Sequence, residues 1–193
     1  MNNSKVKVRN IAVIAVLSAV SVVLGLTPLG FIPIGAVKAT TMHIPVIIGG
    51  IIEGPFVGAM VGLIFGLFSM VQAVTRPTPV SFVFYNPLVA IVPRVLIGLV
   101  SAYGYIIFKK VIKNDKISIF ITSIIASLTN TFGVLGSIYI FHGQKYASTL
   151  GISVNSAKKA IIAVGLTNGI PEALIAGLIV TAVVKAVRYE NRR

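Results

Sequence analysis

Long, predominantly apolar runs are the feature that most restricts what this chain can fold into. The runs at residues 55–74, 86–108 and 160–188 are each long enough to cross a bilayer, which takes about 20 residues of helix. Only 11% of the 193 residues are charged, whereas a soluble domain carries roughly 25%. The runs are continuous and do not alternate in short pieces, so helices are favoured over a membrane barrel. The sequence predicts an all-α membrane protein.

We predict six transmembrane helices in a single membrane domain that covers residues 1–193. The basic N-terminus and the apolar stretch after it resemble a signal peptide, but no small-x-small cleavage site follows, so we expect this stretch to remain as the first span. The second span is short and interrupted by glycines. The predicted spans are residues 10–26, 43–53, 55–74, 86–108, 117–141 and 160–188.

The basic residues predict that both termini lie inside the cell. A net charge of +13 would suggest nucleic-acid binding in a soluble protein, but here the charges cluster at the ends of apolar runs, as topology control requires. With the N-terminus inside, eleven basic residues lie inside and five outside. The inner group is Lys5, Lys7, Arg9, Lys109, Lys110, Lys113, Lys116, Lys185, Arg188, Arg192 and Arg193, and the outer group is Lys38, Arg76, Lys145, Lys158 and Lys159.

Two stripes of small residues occur at four-residue spacing. In the first span, Ala15 and Ala19 share one helical face, which could pack inside the bundle or dock another membrane protein. For the glycines of the third span we expect packing within the bundle. These glycines are Gly54, Gly58, Gly62 and Gly66.

Arg94 lies inside the fourth apolar run, where an arginine costs several kcal/mol and needs an anionic partner or a water-filled cavity. Of the four acids, only Glu172 is also deep in an apolar segment. Arg94 therefore either pairs with Glu172 or holds something negative from outside the chain. The sequence leaves both alternatives open.

Further polar residues fall in the outer half of the predicted bundle, and we expect them to form one polar cavity with Arg94. The outer loops, at residues 27–42, 75–85 and 142–159, are rich in glycine, proline and polar residues and could cover such a cavity. The candidate substrate-binding residues are Arg94, Asn130, Asn168, Glu172, Gln72, Asn86 and Tyr85.

Enzymatic chemistry is poorly supported by the residues. The chain has no cysteine, two widely separated histidines and no serine-hydrolase, metalloprotease or phosphate-binding motif, so we predict no catalytic or metal site. It also lacks any motif that would couple an energy source to transport. A solute-binding membrane protein of this kind implies a partner that supplies the energy.

The chain resembles the substrate-binding S components of energy-coupling factor (ECF) transporters over essentially its whole length. The resemblance rests on the six predicted spans, the basic N-terminus, the long first outer loop, and Ala15 and Ala19. Its most specific part is the segment from Thr41-Met-His-Ile-Pro through Glu53-Gly-Pro to Gly66-Leu, which is similar to the hairpin of spans two and three in the subgroup assigned to pantothenate.

The resemblance implies a transport subunit without ATPase activity or a cofactor of its own, in a prokaryotic plasma membrane. Its partners would be a transmembrane coupling (T) component, facing Ala15 and Ala19, and two cytoplasmic ATPases that hydrolyse ATP. The first outer loop would close over the vitamin, and the whole subunit would rotate in the membrane during transport.

Pantothenate, whose carboxylate could bind Arg94, is the substrate that we expect. If Arg94 instead pairs with Glu172, the ligand would be neutral, such as hydroxymethylpyrimidine or pyridoxine; riboflavin and folate are further alternatives within the family. A stand-alone membrane carrier or small membrane enzyme is the alternative from another class. Co-purification with ATPase subunits would separate the two classes.

Overall fold

The computed structural model describes residues 3–34 and 37–190 as a helical bundle that carries one short β-hairpin. In this part of the chain, five segments are long and apolar enough to cross a membrane, and one of them combines α4 and α5. The helices are α1 (Asn3–Leu26), α2 (Ile44–Glu53), α3 (Pro55–Thr75), α4 (Pro87–Ala90), α5 (Val92–Ile112), α6 (Asp115–Thr149) and α7 (Val154–Glu190).

The second predicted span corresponds to α2, which is short. Its 10 residues reach about 15 Å at 1.5 Å per residue, which is half of a hydrocarbon core of about 30 Å. The helix ends at Gly54, whose φ of 95° only glycine adopts readily, and α3 starts at the next residue. The predicted helical bundle is thus confirmed, whereas the number of membrane crossings stays a prediction.

The predicted loops contain more regular structure than expected. The loop predicted at residues 27–42 includes a 3₁₀ turn, Pro28–Gly30, and an antiparallel hairpin of β1 (Phe31–Ile34) and β2 (Val37–Thr40). The prediction of a long loop at residues 142–159 is wrong. Both flanking helices extend into it and leave only four connecting residues, because nothing obliges a helix to end where its apolar run ends.

Three glycines of the predicted stripe, Gly58, Gly62 and Gly66, pack inside the bundle as expected, whereas Gly54 lies before α3 and a Cβ there would meet nothing within 4 Å. A Cβ on Gly62 would lie 2.2 Å from the carbonyl oxygen of Arg94, and one on Gly58 would lie 2.8 Å from that of Gly98. A Cβ on Gly66 would come equally close, 2.8 Å, to a carbonyl oxygen of α4. Small residues let helix backbones approach in this way. The stripe therefore brings the first turn of α5 directly against α3.

Ion pairs and a hydrogen bond connect several helix ends at one end of the bundle. Arg9, near the start of α1, forms an ion pair with Glu53 at the end of α2. Near the end of α7, Arg188 lies 3.1 Å from a carboxylate oxygen of Asp115 at the start of α6, and it also donates to the carbonyl oxygen of Ile51. The starts of α1 and α6 and the ends of α2 and α7 are therefore together. The hairpin belongs to the other end.

Candidate functional site

A cavity of about 430 Å³ lies at the hairpin end of the bundle, between α3, α5, α6 and the end of β2. A second 3₁₀ turn, Ser81–Tyr85, forms part of its wall. The wall mixes aromatic rings with polar side chains, as small-molecule sites usually do. The lining residues used below are Thr40, Phe65, Gln72, Phe84, Arg94 and Asn130.

Arg94 is the buried cation of this cavity, with 6% of its surface exposed. It belongs to the first turn of α5, and its Nη1 donates to the carbonyl oxygen of Val89 at 2.7 Å. The guanidinium carbon lies 5.5 Å from the ring centre of Phe65 and 5.3 Å from that of Phe84, within the range of cation–π contacts. Two aromatic rings therefore hold the guanidinium in position.

No acidic side chain neutralises Arg94, although all four acids of the chain lie in its described part. Glu53 and Asp115 pair with basic residues at the opposite end of the bundle, and Glu190 is exposed near the end of α7. The Glu172 carboxyl accepts its hydrogen bonds from Thr40 and not from Arg94. Of the two alternatives posed by the sequence, the Arg94–Glu172 pair is not formed here.

Two residues of the cavity wall each have one buried polar atom without a partner in the described part of the chain. One is Nε of Arg94, a donor, and the other is Oδ1 of Asn130, an acceptor; both are fully shielded from solvent. Folded proteins satisfy most buried polar groups, and leaving one unpaired costs about 1–3 kcal/mol. Arg94 and Asn130 thus keep an unpaired donor and an unpaired acceptor in residues that line the cavity.

The structure brings Gln72, Arg94 and Asn130 together in the cavity wall, out of the seven candidate residues. Gln72 also donates through Nε2 to the carbonyl oxygen of Gly25 at 2.9 Å, which links α3 to the end of α1. Glu172 reaches the wall only indirectly. Its Oε1 accepts from the backbone N–H of Thr40 at 2.8 Å and from the Thr40 hydroxyl at 3.1 Å.

The other three candidates do not line this cavity. Asn86 caps α4 by accepting a hydrogen bond from the backbone N–H of Leu88 at 3.0 Å. Tyr85 is 50% exposed at the end of the second 3₁₀ turn. Asn168 accepts from the hydroxyl of Thr167 at 3.2 Å. That these three residues contact the substrate stays a prediction.

Sequence reasoning missed Thr40, Phe65 and Phe84 as cavity residues. Phe65 lies seven residues before Gln72, two helical turns away, so a search along the polar face of α3 would have found it. Phe84 and Thr40 lie in segments predicted as loops, where helical periodicity gives no signal.

The predicted docking residues lie on an open face. Ala15 and Ala19 are both exposed, as are Ile11 and Val16 on the same helix, at 67% and 61%. Beside this face, an almost entirely apolar groove of about 680 Å³ runs between α1, α2 and α7. In the described chain, α1 therefore leaves a smooth apolar surface toward its surroundings.

Comparison with known proteins agrees with this architecture. Residues 9–184 match the family described as the ECF transporter, substrate-specific component. The chain is 35% identical to the pantothenic acid transporter PanT of Lactococcus lactis subsp. cremoris, over 95% of both chains. It is 30% identical to the pantothenate transporter PanT of Leuconostoc mesenteroides subsp. mesenteroides, over 81% of this chain and 79% of that one.

Both relatives are named as transporters, which fits a subunit that is not an enzyme. Together with the long apolar helices, the matches identify a multi-pass bacterial membrane protein. Since the family match extends over most of the sequence, the chain belongs to the substrate-specific components of ECF transporters.

Proposed function

We propose that this chain binds pantothenate for an ATP-dependent ECF uptake transporter. The observation that carries the proposal is Arg94, a buried guanidinium in a cavity with no acid beside it and with an unpaired Nε. A guanidinium recognises a carboxylate strongly and with fixed geometry in a dry site. The names of the two relatives support pantothenate as the carboxylate-bearing solute.

Pantothenate has groups that complement the cavity. Its carboxylate would accept from Arg94, and one of its hydroxyl or amide N–H groups would donate to Oδ1 of Asn130. Its two methyl groups would contact the aromatic rings of Phe65 and Phe84. The start of α5 adds the positive end of a helix dipole near the carboxylate. Every unpaired polar atom described above would then have a partner.

The first test is calorimetric binding to the purified wild-type chain, with pantothenate, its alcohol analogue pantothenol, and other vitamins. Pantothenate should bind, and pantothenol should bind about 30-fold more weakly or worse, because a buried guanidinium without its counter-ion costs about 2 kcal/mol or more. Equal affinity for the two ligands, or tighter binding of pyridoxine, hydroxymethylpyrimidine, riboflavin or folate, would contradict the proposal.

The energy for uptake would come from partner subunits. The sequence has no phosphate-binding loop of the type G-x-x-x-x-G-K-[ST], so ATP would be hydrolysed outside this chain, by two cytoplasmic ATPases. A transmembrane coupling component would dock on the face that carries Ala15 and Ala19. Their exposure supports this assignment, since small residues at four-residue spacing permit close helix contact in lipid.

We further propose six membrane crossings with both termini in the cytoplasm. The shared end of α1, α2, α6 and α7 supports an even number of crossings, and this is the end that carries Arg9 and Arg188. The excess of inner basic residues favours the cytoplasm for it. The short helix α2 would complete a crossing together with the residues that precede it.

Cysteine labelling tests this topology, because the natural chain has no cysteine to interfere. Lys113, between α5 and α6, and Ser148, near the other end of α6, are both exposed. In intact cells, Ser148→Cys should react with a membrane-impermeant thiol reagent and Lys113→Cys should not. In inside-out vesicles the pattern should reverse. Labelling of Lys113→Cys in intact cells would refute the proposed orientation.

A further inference from the structure

Glu172 connects α7 to the hairpin, although the two elements are far apart in sequence. One carboxyl oxygen, Oε1, accepts both the backbone N–H of Thr40 at 2.8 Å and the Thr40 hydroxyl at 3.1 Å. Thr40 is the last residue of β2 and lines the cavity, as does Met42 two residues later. Glu172 itself is only 7% exposed. A buried carboxyl on an apolar helix is expensive, so a function is expected for it.

The hairpin needs such an anchor. Within the described residues its sheet has just two strands, and an isolated two-stranded hairpin is marginally stable in water. A hydrogen bond from the N–H of Thr41 to the carbonyl oxygen of Gly30 closes its base at 3.0 Å. Gly30 is seated against the end of α1, since a Cβ there would lie 2.0 Å from the carbonyl oxygen of Leu24. One side of the base is therefore packed against α1, and the other is hydrogen-bonded to Glu172.

On the α7 side the anchor is firm. A Cβ on Gly169 would lie 2.8 Å from Cγ2 of Thr131 in α6, so the two helices are in close contact just before Glu172. Ala173 and Ala176 are 3% and 0% exposed. The helix therefore provides a firm point of attachment for Thr40.

We propose that Glu172 acts as a latch, a positioning residue that holds Thr40, at the end of the hairpin, as part of the closed wall of the binding cavity. Breaking its two hydrogen bonds would release this wall and open the cavity without unfolding the bundle. The inference rests on the proposed function, because it takes this cavity to be the solute site. It gives Glu172 an indirect role, through Thr40, in place of contact with the solute.

Opening of the ligand-free protein tests the latch without any solute. Ala73 lines the cavity and is 6% exposed, and Ala73→Cys would be the sole cysteine. In the purified protein, adding Glu172→Leu should raise its rate of thiol labelling about tenfold or more, as the loss of charge-assisted hydrogen bonds predicts. Glu172→Gln should raise it less, because an acceptor oxygen remains. Thr40→Val removes only the hydroxyl bond, so it should also give a labelling rate between those of the wild-type background and Glu172→Leu.

Matched controls separate opening from general loosening. Thr129→Val makes the same change as Thr40→Val at a half-buried position whose hydroxyl bonds only to its own helix, so it should leave Ala73→Cys labelling unchanged. Ala126→Cys, at a core position with 0% exposure, should stay unreactive in every Glu172 variant. Unchanged labelling of Ala73→Cys in Glu172→Leu, or equal gains at both cysteines, would overturn the latch. If Glu172→Leu does not fold, the same comparison of labelling at Ala73→Cys and Ala126→Cys is made in Glu172→Gln and in Thr40→Val.

Stopped-flow binding of pantothenate gives the second readout. A latch that closes the empty and the occupied cavity alike predicts that Glu172→Leu raises association and dissociation rates together, each by about tenfold, with little change in Kd. Direct contact between Glu172 and solute would instead raise dissociation alone, and that result would overturn the inference. Absence of pantothenate binding to the wild type would refute the proposed function, while the labelling experiment would still judge the latch.

Discussion

Replacing Arg94 by alanine is expected to weaken pantothenate binding by about 2–5 kcal/mol, or from about 30-fold to several-thousand-fold in Kd. The guanidinium is 6% exposed and has no acid beside it, so its loss leaves the ligand's carboxylate buried without a counter-ion. Arg94→Lys should recover only part of the affinity, because an ammonium lacks the fork of parallel donors. Calorimetry on the purified variants measures both effects.

Two comparisons make this prediction specific. Arg76→Ala is the matched control, since Arg76 lines the same cavity but is exposed, and an exposed ion pair is worth about 1 kcal/mol or less. Arg94→Ala should not weaken pantothenol binding, because pantothenol carries no carboxylate for the guanidinium to hold. If Arg94→Ala weakens pantothenol as much as pantothenate, the residue supports the cavity wall and does not read the carboxylate.

The same variant tests the pairing that the sequence left open. In the structure Arg94 contacts Val89 and two aromatic rings, whereas Glu172 contacts Thr40. Side chains without shared partners contribute nearly additively to stability. The losses in thermal stability from Arg94→Ala and Glu172→Gln should therefore add in the double variant. A double variant that is more stable than the sum of the two losses predicts would show that the two side chains pair in solution.

The helices could be predicted because lipid imposes strong constraints on sequence. Any segment in the hydrocarbon must be apolar and must satisfy its own backbone, so the runs at α3 and α5 are evident from their length and composition. The hairpin could not be predicted in this way. Its strands are four residues each and lie in a segment rich in glycine and proline, too short for a period-two pattern to stand out.

The cavity was predictable to the extent that its residues are out of place in lipid. Arg94, Asn130 and Gln72 are polar side chains in apolar runs, and the structure brings all three to one wall. Phe65 and Phe84 give no such signal, because a phenylalanine suits lipid, core and binding site equally well. Glu172 was rightly singled out as a costly residue, but its partner, Thr40, is 132 positions away and could be found only from the fold.

The double variant Ala15→Trp/Ala19→Trp is expected to abolish uptake by the full transporter while leaving pantothenate binding by the isolated chain intact. Both alanines are exposed on α1 and away from the cavity, so the indole rings would meet no side chain of the bundle core but would prevent close approach of a partner helix. Uptake of labelled pantothenate into cells, and co-purification of the ATPase subunits, measure the two consequences of lost docking.

The matched control for this variant is Leu174→Trp/Leu178→Trp, again two substitutions four residues apart at exposed apolar positions, 49% and 65% exposed, on α7. These side chains point away from the groove beside α1, so tryptophans there should face lipid and leave uptake unchanged. The difference in uptake between the two pairs is decisive, since a general disturbance of a lipid-facing surface would affect both. Normal uptake by the Ala15/Ala19 variant would mean that the transporter docks on another face. Loss of uptake in both pairs would mean that the bulk of tryptophan, and not its position, is responsible.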